Sequence, residues 1–67
     1  MKFQAEDDVI VSRPDKGMLS FKGATGLVCD IIRGETPYKV KLDTLIRDSG
    51  SEWNFMYFRA KELSRKE

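Results

Sequence analysis

The sequence predicts an all-β chain, a small five-stranded barrel with one short helical turn near its C-terminus. Three observations predict it. Tyr38-Lys39-Val40-Lys41-Leu42-Asp43 alternates apolar and charged residues, the pattern of a half-buried strand with Tyr38, Val40 and Leu42 inward. Other short segments rich in β-branched and aromatic residues recur at intervals of roughly ten residues, separated by turn chemistry. No stretch of ten or more residues carries a helical apolar period, so helix-containing folds are disfavoured.

Asp8-Val9-Ile10-Val11-Ser12-Arg13 reads as the first strand, stopped by Pro14. Pro14-Asp15-Lys16-Gly17 is a turn, because proline presets φ and glycine accepts a positive φ. Met18 to Lys22 is expected to be an irregular loop anchored by Leu19 and Phe21. Gly23 and Gly26 then precede Leu27 to Ile32, the second strand, where a glycine marks a bulge or a close backbone approach. Val28 and Ile31 are out of phase, which suits a bent strand.

Gly34-Glu35-Thr36-Pro37 is the next turn, and the third strand runs from Tyr38 toward Ile46. Asp48-Ser49-Gly50-Ser51 forms a hairpin tip before the aromatic fourth strand, Trp53 to Phe58. Arg59 to Leu63 reads as a single helical turn with Leu63 packing inward, and Ser64 to Glu67 as a frayed tail. Residues 1–67 are expected to form one domain with its core at about 7–64.

Asp8-Val9-Ile10-Val11, a turn, and Lys22-Gly23-Ala24-Thr25-Gly26-Leu27-Val28 together resemble a KOW motif, in which a glycine opens the second strand. Tyr38 to Leu42, Tyr57-Phe58-Arg59 and Glu62-Leu63 are similar to stand-alone SH3-like barrels. The nearest in layout are the small ferredoxin-docking barrels of photosynthetic complexes: the ferredoxin-thioredoxin reductase variable chain and its counterparts in photosystem I and the NDH-1 complex. The resemblance spans residues 7–64 and implies an SH3-like barrel that binds a protein or a nucleic acid.

Composition narrows the chemistry. Twelve Lys and Arg against eleven Asp and Glu give no field that singles out nucleic acid. The apolar fraction, 40%, argues against disorder, and no apolar run reaches the length of a membrane span. Histidine is absent, which removes the commonest acid–base group at neutral pH. The lone Cys29 is expected to be a buried structural thiol, and Asp7, Asp8, Asp30, Glu35 and Asp43 are expected to be solvated. The expectation is therefore no enzyme, no cofactor and no metal. An oligomeric barrel sharing a central active site is the one enzymatic alternative. A single thiol and an acidic start without a signal sequence suggest the cytoplasm.

The aromatic strand carries the functional expectation. Alternation places Trp53, Phe55 and Tyr57 on one face and Asn54, Met56 and Phe58 on the other. Alignment with the resembled barrels turns Met56 and Phe58 inward, leaving Trp53, Phe55 and Tyr57 outward as an interaction patch. The opposite phase, with the three aromatics in the core, is also open. Lys39, Lys41, Arg47 and Arg59 are expected to flank the patch. The expected role is a protein-binding accessory or regulatory module that docks on a larger protein or complex. The alternatives are a KOW-like binder of RNA, ribosome or RNA polymerase, and a second copy of the chain as cover for the patch.

Overall fold

The computed structural model describes residues 2–66, in five strands: β1 (Asp8–Val11), β2 (Thr25–Ile31), β3 (Tyr38–Asp48), β4 (Ser51–Phe58) and β5 (Leu63–Arg65). Every neighbouring pair is antiparallel, in the order β4-β3-β2-β1-β5. Five strands laid flat would hold β4 and β5 about 19 Å apart at ordinary strand spacing. Yet Phe58 from β4 and Leu63 from β5 join one buried cluster with Val9, Val11, Val28, Tyr38, Val40 and Leu42. The sheet is therefore strongly curled, as in a small β-barrel.

Two irregularities give the curl. Gly26 pairs with Val9 on one side and Leu42 on the other. A Cβ there would run into the carbonyl of Lys41 and stand 2.9 Å from Val40 Cγ1, so β2 crosses β3 at a distance only glycine permits. The second is a bulge between Val28 and Asp30, which leaves Cys29 outside the ladder. It resolves the broken alternation, since Val28 pairs with Val40 and Ile31 with Tyr38, both facing the core. It also corrects the expectation for Cys29: the residue released from pairing is turned out, and its thiol is exposed.

Four other expectations are corrected. Residues Lys16–Phe21 form a 3₁₀ turn kinked at Met18, not an irregular loop. Its Phe21 is buried edge-to-face on Phe58, with centroids 5.9 Å apart, but Leu19 is 61% exposed and anchors nothing. A 3₁₀ turn presents successive residues around its axis, and this one buries Phe21 in the core with Met18 packed against its margin. The C-terminal segment is not a frayed tail, because Leu63–Arg65 pairs with β1 after a 3₁₀ turn at Ala60–Glu62; Glu67 lies outside the described residues.

The core also begins earlier than residue 7. Phe3 is fully buried, edge-to-face on Tyr38 with centroids 5.4 Å apart. The backbone N–H groups of Lys2 and Phe3 both donate to the Tyr38 hydroxyl, at 3.0 and 3.3 Å. The reversal that brings Phe3 back is fixed by Asp7, whose Oδ2 accepts the Gln4 amide and an Arg65 guanidinium N–H, each at 2.9 Å. That amide chiefly holds the Asp7 carboxyl below its ordinary value; partial burial opposes the shift and Arg65 reinforces it. Among the described residues no helix is long and apolar enough to cross a membrane.

Candidate interaction face

The hairpin of β3 and β4 builds the candidate face. Ser49 and Gly50, with φ of 51° and 79°, close it in two residues, the positive-φ combination of primed hairpin turns. Asp48 pairs with Ser51, Arg47 with Glu52 and Ile46 with Trp53. The register then shifts: β3 passes from Ile46 to Lys41 while β4 passes only from Trp53 to Phe55. Beyond that bulge Lys41 pairs with Phe55, Val40 with Met56, Lys39 with Tyr57 and Tyr38 with Phe58.

Cross-strand partners share a face, so this register sets the phase of β4. Val40, Tyr38 and Phe58 are buried and Met56 packs on the core. Phe55 and Tyr57 therefore point outward with Lys39 and Lys41. Phe55 stands edge-to-face to Tyr57 at 6.1 Å and to Trp53 at 6.4 Å, so the three half-buried rings form one continuous row. The Lys39 ammonium lies 4.6 Å from the Phe55 centroid, within cation–π range.

Trp53 divides its surface between two tasks. Its ring touches Phe55, but with Ile46 it also packs against the margin of the core, and Nε1 donates to the Asp48 carbonyl at 3.4 Å. The bulge bends the tip of the hairpin over the end of the core, which accounts for the shared placement.

The two arginines do not join the row. Arg47 pairs with Glu52, one position from the Ile46–Trp53 pair, so alternation turns it to the opposite face. Arg59 is held by carboxylates, Nη2 at 3.2 Å from Glu35 and Nη1 at 3.6 Å from Asp15. The face instead includes residues the sequence did not single out. Leu27 pairs with Lys41 and is 40% exposed, so Leu27, Lys41 and Phe55 form a line across three strands. Cys29, Lys39, Lys41, Asn54 and Phe55 line a shallow depression of about 150 Å³. The parity of Leu27 relative to Val28 could have shown the first; for the bulge that exposes Cys29, the phase break between Val28 and Ile31 was the local signal.

Electrostatically the face combines two lysines with aromatic edges, an aliphatic side chain and a carboxylate, since exposed Asp30 pairs with Lys39 across β2 and β3. It offers charged, stacking and apolar contacts. Among the described residues no group of three or more Cys, Asp or Glu side chains is placed to hold a metal ion. No family model, curated protein or solved structure matches the chain.

Proposed function

We propose that this chain is an accessory module that works by binding, docking on a larger protein through the outer face of β3 and β4. The observation that carries this reading is the row of Trp53, Phe55 and Tyr57, packed edge to face in series with the Lys39 ammonium over its central ring. Rigid aromatics bury large areas at low entropic cost and concentrate at interface centres. The core uses Trp53 only at its margin and needs neither Phe55 nor Tyr57, since Phe58 and Met56 already supply the inward side of β4. Lys39 and Lys41 favour a partner surface carrying carboxylates. The order β4-β3-β2-β1-β5, with a 3₁₀ turn leading into the last strand, supports the SH3-like reading of the scaffold.

The test compares capture by the wild-type chain with capture by the Phe55→Ala/Tyr57→Ala variant, from nuclease-treated extract at moderate salt. A protein partner retained by the wild type should bind the variant about tenfold more weakly, a loss of about 1.4 kcal/mol. Equal capture by both would remove the aromatic row from the function.

A nucleic-acid reading has one observation in its favour: Lys39, Lys41 and the Phe55 ring line one depression, where a base could stack and a phosphate pair. Its signature is a steep loss of affinity with salt, through counterion release, and disappearance of the bound material on nuclease treatment.

A further inference from the structure

We propose that β4 is a dimerisation edge, along which two copies of this chain pair antiparallel about a two-fold axis passing through Phe55. The proposal rests on the main chain of β4 and stands apart from the docking reading of its outer face. Among the described residues β4 lies at one end of the sheet, with β3 as its only paired neighbour. Among the described residues no backbone group of Ser51–Phe58 hydrogen-bonds to anything but β3. In an antiparallel edge strand about half of the N–H and C=O groups point away from the one neighbour. Eight residues of such an edge form a template for a further strand.

Edges that are meant to stay single carry protection: shortness, lysine, proline or a bulge in the edge strand itself. The other edge of this sheet fits that description, because β5 is three residues long, contains Arg65 and is followed by Lys66. β4 has none of these devices. It contains no proline, lysine or arginine, its only charge is Glu52, and the hairpin's extra residues sit in β3 rather than in β4.

A second copy fits this edge by its own symmetry. When faces continue across a two-fold junction, a residue on the axis pairs with itself and its neighbours pair reciprocally. With Phe55 on the axis, Trp53 meets Tyr57 of the second copy and Asn54 meets Met56. All three outward aromatics then meet aromatics, the most favourable kind of cross-strand pair. Shifting the axis to Asn54 pairs as many residues but sets Tyr57 against Ser51. The Phe55 register also sets each Glu52 opposite Phe58, about 20 Å from its symmetry mate at strand rise. The net charge of +1 adds little repulsion between copies.

The test is mass in solution, by sedimentation velocity from about 1 μM to about 1 mM, where weak dimers populate. The wild type should move from 7.7 kDa toward twice that mass. Phe55→Lys and Phe55→Glu should each be monomeric, because each places like charges opposite one another on the axis. An equimolar mixture should restore a heterodimer, which only a self-paired residue 55 explains. Should either variant fail to fold, Asn54→Lys, an exposed edge position, must abolish the dimer in its place. A wild-type chain that stays monomeric throughout overturns the proposal, as does a dimer that Phe55→Lys or Asn54→Lys leaves intact. A monomer that takes up an extended segment of a different protein along β4 also overturns it, by giving the edge another occupant.

Discussion

Glu62 reaches Asp15 across 47 positions of sequence: its buried carboxylate accepts the Asp15 amide through Oε2 at 3.1 Å. Oε1 accepts the Arg59 amide at 2.9 Å, and the Glu62 carbonyl accepts the amides of Ser12 and Arg13. One residue thus ties the turn before β5 to the loop after β1. Glu62→Ala leaves two amides without acceptors and is expected to cost about 2–4 kcal/mol. For a domain of this size that is a large share of total stability. Glu62→Gln keeps one acceptor and should cost about half as much, measured by urea unfolding.

Gly26→Ala forces a methyl group into the Lys41 carbonyl, a backbone atom that cannot move without parting β2 from β3. The expected destabilisation is about 3 kcal/mol, the upper end of overpacking. Gly17→Ala, with open space around the new carbon, provides the control and should stay within about 0.5 kcal/mol.

The three outward aromatics should separate by stability. Phe55→Ala and Tyr57→Ala lose cross-strand contacts worth about 1 kcal/mol each. Trp53→Ala also opens the margin of the core and should cost about 2 kcal/mol, and Phe58→Ala about 3–5 kcal/mol. Thermal or chemical unfolding of the four variants checks the ranking. A Phe55→Ala variant as unstable as Phe58→Ala would contradict the outward phase.

Asp7 makes the N-terminal reversal pH-dependent. Its carboxyl is held below the ordinary value of 3.8, so the folded state favours the charged form. The stabilisation is complete above that value and is lost as pH falls from there through the lowered folded value. The stability gap between wild type and Asp7→Asn should accordingly be constant near neutrality and close below about pH 4. Acid titrations of both proteins measure it.

Cys29 should react in the native state. Its side chain is exposed at the bulge, so a neutral alkylating reagent should modify the folded chain almost as fast as the denatured chain. Strong native protection would contradict the placement.

Which features are legible in the sequence follows from how local their causes are. Tyr38, Val40 and Leu42 declare their phase by alternation, and Gly26 marks a close crossing through its missing side chain. The Phe58 phase becomes definite only through its partner Tyr38, a long-range register that no local pattern encodes. Cys29 is misplaced by reading a thiol inside an apolar strand as buried, whereas the bulge takes that residue out of the ladder and exposes it. Phe3 and Leu63–Arg65 escape a local reading because their partners, Tyr38 and β1, lie far away in sequence. Arg59 looks available from its place after Phe58, but folding delivers Asp15 and Glu35 to it.

The pairing of β1 with β5 also has a kinetic consequence. Val9 meets Arg65, so that ladder closes a loop containing most of the chain, whereas the Ser49–Gly50 turn closes the β3–β4 hairpin across two residues. Loop-closure entropy grows with the length enclosed, and distant pairings are the slow ones. The hairpin is thus the inexpensive nucleus, and the clasp between β1 and β5 forms late and opens early. A chain still lacking Leu63–Arg65 would carry the aromatic row of β4 before β1 has a partner on its outer side, so the curled sheet locks only once those three residues can pair.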